Sequence, residues 1–443
     1  MNQGSPAKRS LPRAALLALA LGVVAVAIFV VGSRDLGQLS AAELLRLAGF
    51  YLAPAIAVAA PLAWLGLTRR DLQREGLLML GCVAGVVLGA EGCQRFADAR
   101  GDRERLASAA RTHGFDLDTR DLAEVLRDLR ARGVDAAAAR RPIWSARGLT
   151  PLGYAPEKTV VVCNEVGQWL VYETDAHGFN NPRHAWSSEA RLLFVGDSFV
   201  EGYCWPDNRG FVEHIREQVP DTLNLGVGGN GPLLVLASLV EFLPDSGAGD
   251  VLWFFYEGND FRNMTEHLDH PLLRRYLEDG FSQDLAARAP EIARIMEPFA
   301  EAESSDRRND WRSWARLTAL RARLGLRVGG KRFDWGAFER VVARASRLAC
   351  DQGARIHFLL LPDQEPSAPR AQIEMLEEVV RARGIPFHDL GPVLRTGEDP
   401  AANFSYPTPP HGHLSAQGNE RLADFLLREV LAEGAPRGPD CGS

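Results

Sequence analysis

The stretch "ARLLFVGDSFVEGYCWPDN", residues 190–208, opens as an apolar run and stops at Gly196-Asp197-Ser198-Phe199. Glycine, aspartate and serine are common turn residues, so an ordinary strand followed by a turn would produce this pattern. A nucleophilic serine held at the end of a strand would produce it as well. The choice between these two interpretations depends on what the rest of the chain places beside Ser198.

Five short apolar segments alternate with helical segments from Arg191 onward, which is typical of an α/β domain. Short strands that are apolar throughout, with helices between them, indicate a parallel sheet covered on both faces. The predicted strands and their last residues are "RLLFVGDS" (Ser198), "TLNLGVGG" (Gly229), "VLWFFYEGND" (Asp260), "RIHFLLLPD" (Asp363) and "IPFHDL" (Leu390). The segment 261–335 is too long for one crossover, and we predict that it is a largely helical insertion.

Polar and glycine-rich motifs stand at the ends of the predicted strands. Ligands of such sheets bind beyond the carboxyl ends of the strands. The first end carries Ser198, the second carries "NLGVGGNG" (224–231), and the third carries "EGND" (257–260). Closer to the C-terminus, "HGHLSAQGN" (411–419) supplies His413. We therefore expect a hydroxyl, a glycine loop, an amide and an imidazole on one rim of the sheet.

Acyl transfer needs this combination of groups. A serine hydroxyl is a weak nucleophile until a base removes its proton, and a histidine, which titrates near neutrality, can act as that base. The oxyanion that develops during attack needs preorganised donors, such as backbone N–H groups or a side-chain amide. The predicted catalytic residues are Ser198 and His413; the predicted oxyanion donors are Ser198, Gly229 and Asn259; the predicted accessory residues are Asp197, Asp260 and His411.

The four motifs together resemble the SGNH, or GDSL-type, hydrolase superfamily. The matching blocks are Gly-Asp-Ser (196–198), N-x-G-x-x-G (224–229), G-x-N-D, present as "EGND" (257–260), and "HLSxxG" (413–418). The resemblance covers residues 170–435 and does not extend to the N-terminal part of the chain.

The resemblance implies a flavodoxin-like, three-layer α/β/α fold with a five-stranded parallel sheet. It also implies that Ser198 is the nucleophile and that His413 is the base. The implied oxyanion donors are the backbone N–H groups of Ser198 and Gly229 and the side-chain amide of Asn259.

One position departs from the pattern of this superfamily. Its members carry an aspartate two or three residues before the histidine, and here those positions hold His411 and Pro410. Three alternatives follow: a dyad in which a backbone carbonyl or His411 orients His413, an acid from elsewhere such as Glu201 or Glu257, or an attenuated or inactive site. Loss of a triad aspartate costs on the order of 10⁴-fold in serine proteases, so the departure concerns activity and not the fold.

Three uncharged apolar runs precede the α/β region, at Ala14–Gly32, Leu47–Leu67 and Gly76–Ala90. A membrane helix needs about 20 mainly apolar residues, and the third run reaches that length only if it continues to Cys93. We predict three transmembrane helices, the first an uncleaved anchor because its core exceeds that of a signal peptide.

The positively charged residues around these runs predict the orientation of the chain in an inner (plasma) membrane. They precede the first run and lie between the second and third, which places the N-terminus in the cytoplasm. Everything after residue 93 is then periplasmic or otherwise extracytoplasmic. If the third run does not span the membrane, the large domain is cytoplasmic instead.

These patterns divide the chain into five parts. The predicted parts are a membrane anchor (1–93), a helical juxtamembrane connector (94–150), a β-rich lead-in (151–185), the SGNH-hydrolase domain (186–435) and a tail (436–443). The lead-in contains two strand-like runs, "KTVVVC" and "WLVYET", which "NEVG" separates as a turn.

Composition excludes several other classes of function. The formal net charge is −7 and no dense basic patch occurs in the C-terminal domain, so we expect no nucleic-acid partner. The six cysteines have no zinc spacing, and "GVGGNGP" lacks the Lys-Ser/Thr of a phosphate loop, so no metal and no cofactor is predicted. Cys163 and Cys204 either pair as a disulfide in an oxidising compartment or remain two thiols.

The sequence therefore predicts a membrane-anchored serine esterase. It would cleave an ester-linked acyl group, foremost acetyl, through an acyl-serine intermediate, and its substrate would be an ester such as an acetylated glycan. One alternative is an O-acetyltransferase that modifies a surface polysaccharide together with a multispan membrane acyltransferase. The other is a catalytically attenuated, glycan-binding assembly subunit.

Overall fold

The computed structural model of the 443-residue chain describes residues 73–140, 148–301, 332–406 and 412–432, with shorter pieces at 313–314 and 317–324 and isolated positions between 17 and 63. The chain divides into two units. The first comprises residues 1–102 and 305–331, and the second comprises residues 103–304 and 332–443.

The helices and strands of the described residues follow one another in chain order. The helices are α1 (Gln73–His113), α2 (Leu122–Ala131), α3 (Ser198–Glu201), α4 (Phe211–Gln218), α5 (Pro232–Ser246), α6 (Asp260–His267), α7 (Pro271–Arg274), α8 (Ala289–Glu301), α9 (Thr318–Arg323), α10 (Trp335–Asp351), α11 (Arg370–Arg381), α12 (Gly391–Leu394) and α13 (Ala416–Phe425). The strands are β1 (Ala136–Ala138), β2 (Thr159–Val161), β3 (Val171–Glu173), β4 (Leu192–Val195), β5 (Thr222–Asn224), β6 (Asp250–Tyr256), β7 (Arg355–Leu361) and β8 (Phe387–Asp389). A π-helical segment, Leu426–Val430, continues α13.

The five strands β4 to β8 form one parallel sheet in the order β5-β4-β6-β7-β8. Relative to the first of these strands the order is 2-1-3-4-5, the doubly wound order found in flavodoxin. The predicted five-stranded parallel α/β sheet is therefore confirmed. The strands end before their predicted last residues, for example β4 at Val195 and β5 at Asn224, because the chain turns away from the sheet at the motifs themselves.

Alternate residues of the strands enter two separate hydrophobic cores. Leu193 and Val195 of β4 lie in the core that also contains buried side chains of α5 and α10. Leu192 and Phe194 lie in the other core, with side chains of α4 and α13. Successive strand residues point to opposite faces, so helices cover both faces and the domain has three layers. Each fully buried leucine or phenylalanine contributes roughly 1.5–3 kcal/mol to this packing.

A second, three-stranded sheet precedes the parallel sheet in the chain. Strand β2 pairs antiparallel with β3, as the "KTVVVC" and "WLVYET" runs predict, and parallel with β1. Strand β1 lies in the segment 94–150, which was predicted to be a helical connector. That prediction is wrong for Ala136–Ala138, because pairing with β2 and burial of all three alanines override their helical preference.

The insertion 261–335 is helical in most of its described residues, but it does not belong as a whole to the predicted hydrolase domain. Its part 305–331 groups with the N-terminal unit. Within that unit the fully buried carboxylate of Glu91 accepts hydrogen bonds from the N–H groups of Ala319 (3.1 Å) and Leu320 (2.7 Å). These contacts bind the start of α9 to α1.

The first two apolar runs lie almost entirely outside the described residues, and the third lies in α1. Among the residues that the structure describes, no helix combines the length and the apolar character needed to cross a bilayer. The predicted membrane anchor stays a prediction.

Candidate active site

Ser198 is the first residue of α3, directly beyond the carboxyl end of β4. The side chain of Asp197 caps this helix, since its Oδ1 accepts a hydrogen bond from the N–H of Phe199 (3.1 Å). The serine is largely buried, with 7% of its surface exposed. The sharp change from strand to helix thus presents the Ser198 hydroxyl at the rim of the sheet, where the sequence predicts it.

His413 lies beside this serine, although 215 positions separate the two in the chain. Its Nε2 is 2.8 Å from Ser198 Oγ. The imidazole packs against two aromatic rings, with centroid distances of 4.7 Å to both Phe199 and Tyr203. Main-chain pairing of Phe404 with Leu414 fixes the backbone next to it. The predicted nucleophile and base are therefore in hydrogen-bond contact.

Glu165 provides the carboxylate that the motif near His413 lacks. Its Oε1 is 2.9 Å from His413 Nδ1, and its Oε2 accepts hydrogen bonds from the His413 N–H (3.0 Å) and the Ser405 hydroxyl (2.9 Å). A carboxylate can only accept, so Nδ1 carries the proton and Nε2 is free to accept from Ser198 Oγ. This is the geometry of a serine–histidine–acid triad.

The contact between Glu165 and His413 shifts the pKa values of both groups. Burial by itself lowers the pKa of His413, but the charge and hydrogen bond of Glu165 outweigh burial and raise that pKa above its ordinary value. Burial raises the pKa of Glu165, and the contacts with His413 outweigh it in turn, so this pKa is lowered. Glu165 is consequently an anion that stabilises the imidazolium form of His413.

Glu201 and Glu257, which the sequence suggested in place of the missing aspartate, bind other groups. Glu201 accepts hydrogen bonds from Tyr154, Tyr172 and the glycine loop, and Glu257 forms an ion pair with Arg395. The hypothesis that either of them orients His413 is therefore wrong.

The dyad hypothesis is also wrong, because Glu165 already bonds His413 Nδ1. His411 lies outside the described residues. The third alternative, an attenuated or inactive site, stays a hypothesis about activity.

The glycine loop after β5 packs directly on the nucleophile helix. Asn224 Nδ2 donates to the carbonyl of Val200 (2.7 Å), and Asn224 Oδ1 accepts from the N–H of Gly226 (2.8 Å). A Cβ at Gly226 would lie 2.4 Å from the Glu201 nitrogen, which explains the glycine there. Gly229 has open space around it, and its φ of +80° is what requires glycine.

Asn259 lies beyond the carboxyl end of β6, and its amide is held by the residue before the nucleophile. Its Nδ2 donates to Asp197 Oδ2 at 3.2 Å, which leaves the second N–H of the amide for another acceptor. Asp260 accepts a hydrogen bond from the N–H of Tyr256 (3.0 Å). The predicted accessory residues Asp197 and Asp260 thus support the loop that carries Asn259.

These two carboxyl groups are buried close to each other. Burial raises the pKa of Asp197, and burial together with the charge of Asp197 raises the pKa of Asp260 well above its ordinary value. Of this pair, Asp260 is therefore the group whose protonated form the surroundings favour more strongly.

Asn259→Ala is expected to reduce kcat by roughly 10²- to 10³-fold, because removal of one oxyanion donor costs about that much in a serine protease. The measurement is hydrolysis of p-nitrophenyl acetate by the variant and the wild type, with thermal unfolding as the check on the fold. A loss below tenfold would show that the amide of Asn259 only supports the structure.

Cys163 and Cys204 form a disulfide, with their Cα atoms 5.2 Å apart. The bond joins the segment before Glu165 to the segment after the nucleophile helix. The sequence left this pairing open, and the structure settles it in favour of the disulfide.

One group of candidate metal ligands occurs in the described part of the chain, namely Glu165, Cys204 and His413, whose ligand atoms lie within 4.8 Å of one another. Cys204 Sγ is bonded to Cys163, and both nitrogens of His413 are hydrogen-bonded. The group is therefore better explained as the triad next to a disulfide than as a metal centre.

Glu165 is the functional residue that sequence reasoning missed. It lies in the "NEVG" turn between β2 and β3, 248 positions before His413. Its turn is held by the N–H of Gly167, which donates to Asn164 Oδ1 (2.9 Å), and by the N–H of Asp118, which donates to the carbonyl of Gly167 (2.7 Å). A glutamate in a turn has no local pattern that distinguishes it, so only the tertiary structure identifies it.

No protein-family model matches this chain, and no curated protein matches it. Among solved structures, the crystal structure of a candidate acylhydrolase from Bacteroides fragilis NCTC 9343 is similar, with a TM-score of 0.32 and 12% sequence identity, covering 56% of this chain and 94% of that chain. A similarity of this size carries no argument about activity, so the geometry around Ser198 has to support any functional conclusion.

Proposed function

We propose that this protein is a serine hydrolase of the SGNH type that cleaves acyl esters through an acyl-serine intermediate. The observation that supports it is the hydrogen-bonded series Ser198–His413–Glu165, with 2.8 Å between Oγ and Nε2 and 2.9 Å between Nδ1 and the carboxylate. The strand order 2-1-3-4-5 and the motifs at the strand ends agree with the SGNH superfamily that the sequence resembles.

The first half of the reaction forms the acyl-enzyme. Ser198 Oγ attacks the ester carbonyl carbon while His413 Nε2 takes the hydroxyl proton, and the carbonyl π electrons move onto the oxygen. His413 then gives this proton to the leaving alkoxide as the ester C–O bond breaks. Glu165 keeps Nδ1 protonated throughout and stabilises the imidazolium.

The second half releases the acyl group. A water molecule attacks the acyl-serine carbonyl, with His413 as the base, and the bond to Ser198 Oγ breaks as His413 returns the proton to it. The N–H groups of Ser198 and Gly229 and the amide of Asn259 are the proposed oxyanion donors. Asn224 holds the loop that carries Gly229, and Asp197 holds the amide of Asn259.

Covalent labelling tests this proposal directly. A fluorophosphonate probe is expected to modify the wild-type protein once, with the mass increase on the peptide that contains Ser198. Labelling should slow as the pH falls below the pKa of His413, because the protonated imidazole cannot act as a base. A folded wild-type protein that takes up no probe would contradict the proposal and favour the non-catalytic, glycan-binding alternative.

The acceptor of the acyl group distinguishes an esterase from an O-acetyltransferase, since both use the same acyl-serine. We propose water as the acceptor, an acetylated glycan as the substrate class, and attachment to a membrane through the N-terminal apolar runs. Purified protein should therefore release acetate from an acetylated glycan with no second protein present. Acetyl transfer that appears only when a multispan membrane acyltransferase is supplied would favour the transferase alternative.

The proposed location predicts the behaviour of reporter fusions. A periplasmic reporter fused to the C-terminus is expected to be active, because three spans with a cytoplasmic N-terminus export the large domain. The control is the same reporter fused after Arg70, between the second and third apolar runs, which should be inactive. An inactive C-terminal fusion would show that Gly76–Ala90 does not span the membrane.

A further inference from the structure

Glu201 is a fully buried carboxylate at the last position of α3, the helix that begins with Ser198. Its Oε1 accepts a hydrogen bond from the Tyr172 hydroxyl (2.9 Å), and its Oε2 accepts from the Tyr154 hydroxyl (3.1 Å) and from the N–H of Gly228 (2.6 Å). The triad does not use this carboxylate. An ionised group with such a set of donors is held in one orientation, because any rotation breaks several hydrogen bonds.

The bond from Gly228 to Glu201 lies one residue before the proposed oxyanion donor Gly229. The loop is also held on the N-terminal side of Gly228, since the N–H of Gly226 donates to Asn224 Oδ1 (2.8 Å). Gly229 has a φ of +80° and nothing near its Cβ position, and after the N–H in question its carbonyl accepts a long hydrogen bond from Asn263 Nδ2 (3.3 Å). The direction of the Gly229 N–H therefore depends on the backbone of Gly228, whose own N–H Glu201 holds with the shorter of these two bonds.

The two phenols that fix Glu201 come from the segment before the parallel sheet. Tyr154 precedes β2 and Tyr172 lies in β3, so this segment supplies two hydrogen-bond donors to Glu201 in addition to the carboxylate of Glu165. Burial, and then the charge of Glu201, raise the pKa of Tyr172 well above its ordinary value. Tyr172 consequently stays protonated and remains a donor.

We propose that Glu201 is a positioning residue for the oxyanion hole: its carboxylate, clamped by Tyr154 and Tyr172, holds the Gly228 N–H so that the N–H of Gly229 faces the developing oxyanion. The proposal rests on the function proposed for Ser198. The segment before the parallel sheet would then have two roles at the site, since it supplies Glu165 and orients Glu201.

Glu201→Gln tests this role, because glutamine keeps the size of the side chain but replaces one acceptor oxygen with an NH₂ group. The NH₂ group can only donate, and the amide carries no charge, so even with the remaining oxygen turned to Gly228 the bond that holds the loop is weaker than the charge-assisted bond of the carboxylate. For p-nitrophenyl acetate we expect kcat to fall about tenfold, because the loop is held more weakly, with KM within about threefold of the wild-type value. The rate of fluorophosphonate labelling should fall with kcat.

The chain offers a matched control in Glu241 of α5. This buried carboxylate also accepts from a tyrosine hydroxyl, that of Tyr276 (2.6 Å), and from backbone N–H groups, those of Gln283 (2.6 Å) and Leu285 (2.7 Å). Glu241→Gln is expected to lower the thermal stability like Glu201→Gln but to leave kcat within about threefold of wild type. A general effect of disturbing a buried carboxylate would instead lower kcat equally in both variants, and that result would overturn the proposal.

A double variant covers the case in which Glu201→Gln does not fold. Tyr154→Phe with Tyr172→Phe removes two donors and leaves the carboxylate and its bond to Gly228, and we expect kcat about tenfold below wild type with KM unchanged. Wild-type kcat in this double variant or in folded Glu201→Gln, together with normal labelling of Ser198, would overturn the positioning role alone. Absence of labelling in the wild type would overturn the proposed function and this role with it.

Discussion

Ser198→Ala is expected to abolish the hydrolysis of p-nitrophenyl acetate, with kcat lower on the order of 10⁶-fold, as when the nucleophile of a serine protease is removed. The hydroxyl bonds His413 Nε2 (2.8 Å), so the change removes the group whose proton this base accepts. The fold should persist, because the change removes one oxygen atom and leaves the helix cap at Asp197 intact. Unfolding temperature and activity, measured on the same preparation, separate the two effects.

Ser238→Ala is the matched control for this variant. Ser238 is a buried serine of α5 whose hydroxyl has no hydrogen-bond partner among the described residues. Its removal should leave both kcat and labelling by a fluorophosphonate at the wild-type level. Activity of Ser198→Ala equal to that of Ser238→Ala would exclude Ser198 from the mechanism.

The parallel sheet could be predicted from the sequence because its signals are local. All four residues of β4 are buried, and six of the seven residues of β6 are buried, which corresponds to the uninterrupted apolar runs of the sequence. The positions of Ser198, Asn224 and Asn259 could be predicted as well, because each lies at or just after the end of an apolar run. Chain connectivity alone then brings the motifs to one rim, since the strands of a parallel sheet end at the same edge.

The small sheet and the acid could not be predicted in the same way. Strand β1 consists of three alanines, which have no strand preference, and it exists because β2 lies beside it. Glu165 becomes significant only when its turn lies against His413, and the turn is placed by contacts with Asp118 and Ala110 that are distant in sequence. Sequence motifs around His413 therefore indicate an incomplete triad where the structure has a complete one.

The presence of Glu165 also removes the need for a substitute close to His413 in the chain. The acid of this site enters from the small sheet and bonds both the side chain and the backbone N–H of His413. A carboxylate introduced at position 411 would add to an existing triad instead of completing a dyad. The decisive substitution is therefore at Glu165.

Glu165→Gln is expected to lower kcat on the order of 10⁴-fold at neutral pH, as for the corresponding change in a serine protease triad. The amide can donate to His413 Nδ1, which favours the tautomer with its proton on Nε2, and that nitrogen then cannot accept the proton of Ser198. Glu257→Gln is the matched control, because Glu257 is another buried glutamate near the carboxyl ends of the strands. It should keep kcat within about threefold of wild type.

The pH dependence of kcat/KM tests the same contact independently of the size of the loss. His413 must be neutral to accept the proton of Ser198, so activity falls as the pH drops through its pKa. In the wild type Glu165 raises this pKa above 6.5, so the acid limb of the profile should lie above that value. In Glu165→Gln the negative charge is gone while the burial that lowers the pKa remains, and the acid limb should move to lower pH. A profile that keeps its acid limb in the variant, or a loss of kcat below tenfold, would show that Glu165 does not act on His413, and the triad would have to be abandoned.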